Sequence, residues 1–299
     1  MAEPLAYRNG SLLPAASVAI PLNDAGFTWG ATVTDAVRTM GRTLFRWPDH
    51  LARFRTSCAL AAVPLLADDE TLTAAAADLI QHNGPLLAPH EEMMLVLLAT
   101  PGPLGPWNGR PHTASTPTLI LYTQPLDPRR FESLWSKGVA LELAPNPAPD
   151  PSALPPQAKH RSRLHWWRAE QAARERDPEA TALLTSAAGC LLETWNSNVL
   201  LVAGGAIITP PRAQVLSGIT LLEVERLCQK QGIPFSERPW PIADLAGVEE
   251  MMLTCTSFCL APVRRVGHKS LPCPGPVCQR LRAAWEAEHG PFAPPVLFG

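Results

Sequence analysis

A proline-rich segment at residues 145–156 divides the chain into two halves. Half of its residues are proline, which fixes φ and has no backbone N–H. The segment therefore forms neither a helix nor a central strand of a sheet. We interpret it as a connection between two domains that is ordered where it passes a binding site. Its prolines are Pro145, Pro147, Pro149, Pro151, Pro155 and Pro156.

Apolar patterns on both sides of this connection predict a two-domain, mixed α/β (α+β) protein. We expect an N-terminal α/β domain over residues 1–125, a strand and the proline-rich connection over 126–156, and a C-terminal, cofactor-binding domain over 157–299. A chain of 299 residues can bury two modest cores.

Local periodicity predicts several individual elements. Alternating residues predict hairpins over residues 32–46 and 199–209, and short apolar runs predict strands at 17–20 and 190–194. Helical spacing predicts helices over 71–82, 162–176 and 219–231, with Gly232 ending the last one.

Net charge and cysteine content limit which binding partners and which cellular compartment we expect for this protein. The formal net charge is −2, and no apolar run reaches the length of a membrane helix, so we expect neither a nucleic-acid nor a membrane partner. The N-terminus lacks the basic and apolar regions of a signal peptide. The seven cysteines form no CxxC pair and have no histidine at zinc-finger spacing. We therefore expect reduced thiols, a cytoplasmic protein and no metal site.

Four short motifs follow one another in the second half of the chain. Each one alone has an ordinary explanation: a surface lysine, a solvated strand residue, a helix cap and a turn. Three further motifs precede them in the first half. The seven are Asn23–Phe27 with Gly30, Gly41–Phe45, His50–Phe54, Lys159, Glu193–Asn198, Leu216–Thr220 and Thr254–Ser257.

As a spaced set, these motifs resemble the fold-type IV enzymes that use pyridoxal 5′-phosphate (PLP). That family includes branched-chain aminotransferases, D-amino-acid aminotransferases and aminodeoxychorismate lyases. The resemblance runs from about residue 7 to about residue 266. It implies the two-domain fold-type IV architecture, PLP as cofactor, a small-molecule amino donor and keto acceptor as partners, and a homodimer.

The resemblance also implies a role for each site residue. Lys159 is expected to hold PLP as a Schiff base and to be the catalytic acid and base, because a neutral amine beside a cationic cofactor can attack a carbonyl. Glu193 is expected to keep the pyridine nitrogen protonated. A helix N-terminus offers N–H donors to the phosphate. The residues expected to bind the cofactor are Arg53, Lys159, Glu193, Asn198, Gly218, Ile219, Thr220 and Thr256.

The position five residues after Lys159 departs from the family pattern. Many relatives have a tyrosine there, bonded to the phenolic oxygen of the cofactor, whereas this chain has Leu164. Arg163 and Asn198 are both candidates to replace it.

The substrate side departs from the pattern as well. Thr34-Asp35 stands where relatives usually have an aromatic–acidic pair, and the strand ending at residues 98–102 lacks the arginine that several relatives use for the substrate carboxylate. Substrate specificity therefore does not follow from the resemblance. Trp29, Trp107 and Trp195 are candidate pocket walls.

Three functions are compatible with these residues. The leading hypothesis is a transaminase that moves an amino group between an amino acid or amine and a keto acid or ketone. The second is a lyase of the aminodeoxychorismate type, which uses the same cofactor and releases pyruvate. The third is a degenerate PLP-binding protein without catalysis, suggested by Leu164 and the missing arginine.

Overall fold

The chain forms two compact units in a computed structural model that describes residues 3–105 and 116–292. The first unit comprises Met1–Asp127 and Ala158–Ser162, and the second comprises Pro128–Gln157 and Arg163–Gly299. The architecture is mixed α/β, with one sheet in each unit.

The first unit contains an antiparallel sheet whose strands lie in the order β2-β1-β6-β5-β3-β4. Apolar side chains on one face of its central strands pack against two helices and form the core. Its strands are β1 (Leu5–Arg8), β2 (Ser11–Pro14), β3 (Val33–Met40), β4 (Thr43–Leu44), β5 (Glu92–Thr100) and β6 (Thr118–Leu126). Its helices are α1 (Ala25–Thr28), α2 (Trp47–Leu60) and α3 (Asp69–Asn83).

The core of this unit fixes which residues of β3 face α2. Val33 and Val37 are fully buried against Phe54 of α2, together with Leu95 and Leu97 of β5. Because strand residues alternate between faces, Asp35 lies on this buried face, and Thr34, Ala36 and Arg38 lie on the other. A polar side chain between two core valines requires a partner, which the site described below provides.

The extended segment Ala158–Ser162 is part of the first unit, although the sequence suggests a boundary at residue 157. The reason is backbone pairing. The N–H of Thr34 donates to the Lys159 carbonyl (2.9 Å), and the N–H of Arg161 donates to the Thr32 carbonyl (2.8 Å). Between them, His160 forms an antiparallel bridge with Val33.

The second unit contains a mixed sheet in the order β11-β10-β9-β12-β13-β7-β8, with β14 paired to β13. The pairs β10–β11, β13–β7 and β7–β8 are parallel. Its strands are β7 (Val139–Leu143), β8 (Ala180–Leu183), β9 (Asn198–Ala203), β10 (Ala206–Thr209), β11 (Phe235–Glu237), β12 (Glu250–Cys255), β13 (Cys259–Val266) and β14 (Lys269–Ser270). Its helices are α4 (Glu132–Lys137), α5 (Leu164–Arg176), α6 (Ile219–Gln231) and α7 (Pro276–His289).

The proline-rich connection contains neither helix nor strand, as its composition predicts. It runs along β8, where the N–H of Ala144 donates to the Leu183 carbonyl (2.9 Å) and the N–H of Ala148 donates to the Thr185 carbonyl (2.7 Å). These bonds explain why the segment up to Gln157 belongs to the second unit.

Two predicted strands are wrong. At residues 17–20 the chain ends a 3₁₀ turn (Ala15–Ser17) and then continues without pairing, between Pro14 and Pro21. At residues 190–194 the chain makes only isolated bridges, from Cys190 to Pro241, Leu191 to Thr185 and Glu193 to Asn198. Each bridge has a different partner, so no continuous ladder forms.

Within residues 3–105 and 116–292, no helix has both the length and the apolar character needed to cross a membrane. All seven cysteines are free thiols, and five of them are buried.

Candidate functional site

A buried ion-pair cluster joins β3 to α2 in the first unit. Arg53 donates from Nε to Oδ2 and from Nη2 to Oδ1 of Asp35, both at 2.8 Å. His50 Nδ1 lies 2.8 Å from the same Oδ1. His50 and Arg53 are one helical turn apart, so both side chains reach the carboxylate from the same face of α2. The guanidinium is therefore held rigidly in a planar, two-bond contact.

The pKa values of this cluster favour one charge state. Burial raises the pKa of the Asp35 carboxyl, but Arg53 and His50 lower it more, so the net pKa is well below its usual range. Burial lowers the pKa of His50, and this outweighs the opposite effect of Asp35; the charges of Arg53 and Lys159 lower it further. At neutral pH the cluster contains an ionised Asp35, a charged Arg53 and a neutral His50.

Lys159 lies beside this cluster, on the segment that pairs with β3. Its N–H donates to the hydroxyl of Ser57 on α2 (3.0 Å), and its carbonyl accepts from Thr34. Both backbone groups are thus fixed by the first unit. Two other lysines form hydrogen bonds away from this cluster. Lys230 donates to Glu288, and Lys269 donates to the Leu245 and Ala246 carbonyls.

A second cluster surrounds the half-buried carboxylate of Glu193 in the second unit. Glu193 Oε2 accepts from Asn198 Nδ2 (3.1 Å) and from the Leu216 N–H (3.2 Å). Asn198 Nδ2 also donates to the Leu216 carbonyl (2.8 Å). The side-chain amide of Asn198 therefore orients Glu193 and the chain that leads into α6. These contacts give Asn198 a more immediate role than replacement of the missing tyrosine.

Helix α6 begins three residues after Leu216, whose N–H donates to this carboxylate. Gly218 is the N-cap residue, and no side chain caps the helix within the described part of the chain. A Cβ at Gly218 would overlap Asn198 Oδ1, so the close approach of the two chains requires glycine. Ile219 and Thr220, the first residues of the helix, are buried. An uncapped helix N-terminus presents backbone N–H donors to an anion.

Two threonines at the end of β12 complete this region. Thr254 pairs with Asn198 in the ladder between β12 and β9, and its buried Oγ1 has no hydrogen-bond partner among residues 3–105 and 116–292. Thr256 follows in the turn between β12 and β13 and is partly exposed. A buried hydroxyl without a partner is costly, which indicates a missing ligand or water.

The structure thus groups the predicted site residues into two clusters, one within each unit. Arg53 and Lys159 belong to the first; Glu193, Asn198, Gly218, Ile219, Thr220 and Thr256 belong to the second, with Thr256 the least directly connected. Sequence reasoning missed the contacts of Ser57 and Thr254 and the pairing of Asp35 with Arg53. One signal for the pairing of Asp35 with Arg53 was available in the sequence. His50 and Arg53 have i, i+3 spacing, and Asp35 is an acidic residue on the otherwise apolar face of β3.

One further group of side chains has the composition of a metal site. Glu223, Glu288 and His289 lie close together at the α6–α7 contact. Arg226 bonds to both carboxylates, and Lys230 bonds to Glu288 at 2.6 Å. The positive charges of Arg226 and Lys230 balance the negative charges of the two carboxylates, so the group is an ion-pair network. Trp107, a candidate pocket wall, lies outside the described residues.

Known proteins share both the sequence pattern and the fold. The model of the class IV aminotransferase family matches residues 32–266. The chain is 25% identical to the D-alanine aminotransferase of Bacillus licheniformis, over 92% of this chain and 94% of that protein. Its structure is similar to that of the branched-chain amino acid aminotransferase from Escherichia coli, with a TM-score of 0.84, 21% identity and coverage of 99% and 97% of the two chains.

A third similar protein is an aminotransferase from Brucella abortus bound to PLP, with a TM-score of 0.80, 22% identity and coverage of 95% and 98%. Two α/β units of this topology define the fold-type IV class of enzymes. The chain belongs to the class IV aminotransferase family, a family of PLP-dependent enzymes. Membership favours transamination over the lyase alternative and over a protein without catalysis.

Proposed function

We propose that this protein is a PLP-dependent transaminase that moves an amino group from an amino acid or amine to a keto acid or ketone. The observation that carries the proposal is the carboxylate of Glu193, which Asn198 and the Leu216 N–H fix close to the start of α6. A carboxylate suits the protonated ring nitrogen of PLP, and a helix N-terminus suits its phosphate. Family membership supplies the reaction class.

The residues fit PLP on three further observations. Gly218 lets the backbone at the helix start come close to its surroundings, and Thr254 has an unsatisfied buried hydroxyl. Glu193 forms an antiparallel bridge with Asn198 across the short turn between them, and its side chain is only half-buried. We propose that Glu193, Gly218, Ile219, Thr220 and Thr256 bind the ring nitrogen and phosphate.

Lys159 and Arg53 provide the remaining contacts in this proposal. When bound, PLP supplies an electron sink for the charge left at the substrate Cα. Lys159 would hold the cofactor through its Nζ, and the same amine, once released by substrate, would take up or return the proton at the substrate Cα. Arg53, whose Nε and Nη2 donate to Asp35, would contribute its positive charge to the phosphate. Glu193 holds the proton on the ring nitrogen.

The test is the half-reaction with an amino donor alone. The purified holoenzyme is mixed with a panel of amino acids and amines, without any acceptor, while the visible absorbance of the cofactor is followed. We expect the band to bleach with formation of about one equivalent of carbonyl product per subunit, and to return when a keto acid is added. Continued release of pyruvate without an acceptor would instead identify a lyase, and no spectral change with any donor would contradict both.

We further propose that the protein works as a cytoplasmic homodimer. Seven free thiols suit a reducing compartment. Three large apolar side chains near α1 are strongly exposed in the isolated chain: Leu22 at 81%, Phe27 at 71% and Trp29 at 70%. A cluster of this kind marks a contact surface. Light scattering at micromolar concentration should give the mass of a dimer, and a fully active monomer would contradict the proposal.

A further inference from the structure

We infer that Arg161 is the residue that binds the carboxylate of the substrate and so sets a preference for amino acids over amines that lack a carboxylate. The inference rests on the proposed function, because it takes Lys159 as the residue at which the amino group is exchanged. It concerns the one segment, Ala158–Ser162, that carries both residues within the first unit.

Backbone pairing places Arg161 on the same side of the segment as Lys159. The bridge between Val33 and His160 puts Lys159 opposite Thr34 and Arg161 opposite Thr32. Directly opposed residues of an antiparallel pair share a face, and successive residues alternate. The Lys159 and Arg161 side chains therefore leave the segment on one face, about 7 Å apart at their Cα atoms.

The segment holds this geometry rigidly. Its backbone is bonded at Lys159 and Arg161 to β3 and the residue before it, and the Ser162 hydroxyl donates to the Gly30 carbonyl (2.6 Å). The guanidinium itself makes one long hydrogen bond, from Nη2 to Thr34 Oγ1 (3.4 Å). That contact orients the side chain along β3 and leaves most of the five N–H donors of an arginine for another partner.

The charge of Arg161 is uncompensated, in contrast to that of Arg53. Among the described residues no ion pair of Arg161 is found, and Arg161 is exposed. Arg53, close to the same segment, is already matched by Asp35. An exposed guanidinium beside a reacting lysine attracts anions and forms a two-bond contact with a carboxylate.

The distance between the two side chains fits an α-carboxylate. In an α-amino acid the carboxylate is bonded to the carbon that bears the amino group, so it lies within a few ångströms of the group transferred at Lys159. An arginine two residues along an extended strand can reach that position. Arg38 lies on the same face of β3 as Thr34, four residues further along the strand. It is buried, and its Nε donates to the Thr39 carbonyl (3.2 Å). Arg161 is therefore the better placed of the two.

The test compares Arg161→Gln with the unmodified holoenzyme on two matched donors. The first donor is the one that reacts fastest among the D and L forms of alanine, valine, leucine and glutamate. The second donor is the analogue of the first in which a methyl group replaces the carboxylate. Loss of one charge-assisted contact should lower kcat/KM for the amino acid roughly 10- to 150-fold. The carboxylate-free amine should change less than about 2-fold. Arg161→Lys should retain part of the preference, and Arg168→Gln, an exposed arginine of α5, is the control.

A binding measurement gives a second readout that does not depend on turnover. Propionate, which has the carboxylate and no amino group, is titrated into each holoenzyme while the cofactor absorbance or tryptophan fluorescence is followed. Its dissociation constant should rise at least 10-fold in Arg161→Gln and stay unchanged in Arg168→Gln. Equal losses for both donors, or equal propionate affinity, would overturn the inference. A wild-type enzyme that converts no donor at all would contradict the proposed function instead.

Discussion

Asp35 and Arg53 form a buried, two-bond ion pair in which both hydrogen bonds are 2.8 Å long and the carboxylate is fully shielded from solvent. The pair ties β3 to α2 and fixes the plane of the guanidinium. It also means that an arginine assigned to a phosphate is largely neutralised before any ligand binds. We therefore expect the contribution of Arg53 to the proposed phosphate site to be geometric as much as electrostatic.

Asp35→Asn should destabilise the protein strongly. The substitution leaves Arg53 buried without its counter-charge, and breaking a buried pair from one side costs about 3–5 kcal/mol. Urea unfolding of the cofactor-free protein measures the free energy of unfolding. Asp49→Asn is the matched control, because Asp49 pairs with Arg46 at 2.8 Å on the exposed start of α2, where a pair is worth about 1 kcal/mol or less.

Inorganic phosphate should partly restore Asp35→Asn. If Arg53 faces the phosphate site, an added anion replaces the missing charge, and the unfolding midpoint should rise more in the variant than in the wild type. Equal stabilisation of both proteins by phosphate would show that Arg53 lies away from the phosphate site.

His50 should make stability pH-dependent. Burial lowers its pKa below the ordinary value, so the folded protein keeps the ring neutral while the unfolded chain takes up a proton. Stability is then fully present above the unfolded pKa of about 6.5 and falls as the pH drops below it, by at most about 1.4 kcal/mol per pH unit. The free energy of unfolding should decline less steeply between pH 6.5 and 5 in His50→Gln. Parallel curves for the two proteins would contradict this.

Glu193→Gln separates a role at the cofactor ring from a structural one. Gln keeps an oxygen that can accept from Asn198 and Leu216, but it loses the charge that holds the ring proton. Losing one charge-assisted bond of about 1.5–3 kcal/mol should slow the donor half-reaction roughly 10- to 150-fold. Glu249→Gln is the control, since Glu249 is an exposed carboxylate that accepts from the Gly204 N–H at 2.9 Å. A wild-type half-reaction rate in Glu193→Gln with PLP bound would refute the ring role.

Gly218→Ala should impair cofactor binding through Asn198. The new methyl group overlaps Asn198 Oδ1, so Asn198 must move and release Glu193, at a cost of about 1–3 kcal/mol. The PLP dissociation constant, measured by fluorescence after cofactor removal, should rise about 5- to 150-fold. Gly247→Ala should change it little, because a Cβ there meets only Trp240 Cζ2 at 3.7 Å.

Much of the fold follows from local patterns in the sequence. The helix predicted over 219–231 is α6 at the same bounds, and Gly232 ends it in the left-handed conformation (φ 64°) that glycine adopts at little cost. The hairpins predicted near residues 32–46 and 199–209 are β3–β4 and β9–β10. In each case the signal is short-range: periodicity, a turn glycine or a cap.

The parts that sequence reasoning missed depend on long-range contacts. The run at 190–194 is as apolar as a strand, but its three bridges go to three separate partners, which no local pattern encodes. The spaced motifs predict Lys159 as the cofactor lysine, whereas the attachment of Lys159 to β3 depends on residues about 125 positions earlier. The pairing of Asp35 with Arg53 depends on how α2 packs on β3. Contacts between residues so far apart in the sequence depend on the folded structure and leave no local pattern.

Chemical trapping of the cofactor tests the central claim most directly. The holoenzyme is reduced with borohydride, digested, and the peptides are mapped by mass spectrometry, with Lys159→Ala treated in parallel. The account predicts that the visible band disappears on reduction, that the pyridoxyl group is found on Lys159, and that Lys159→Ala has no modified peptide and no turnover. A pyridoxyl group on Lys137, Lys230 or Lys269 of the wild-type protein would contradict it.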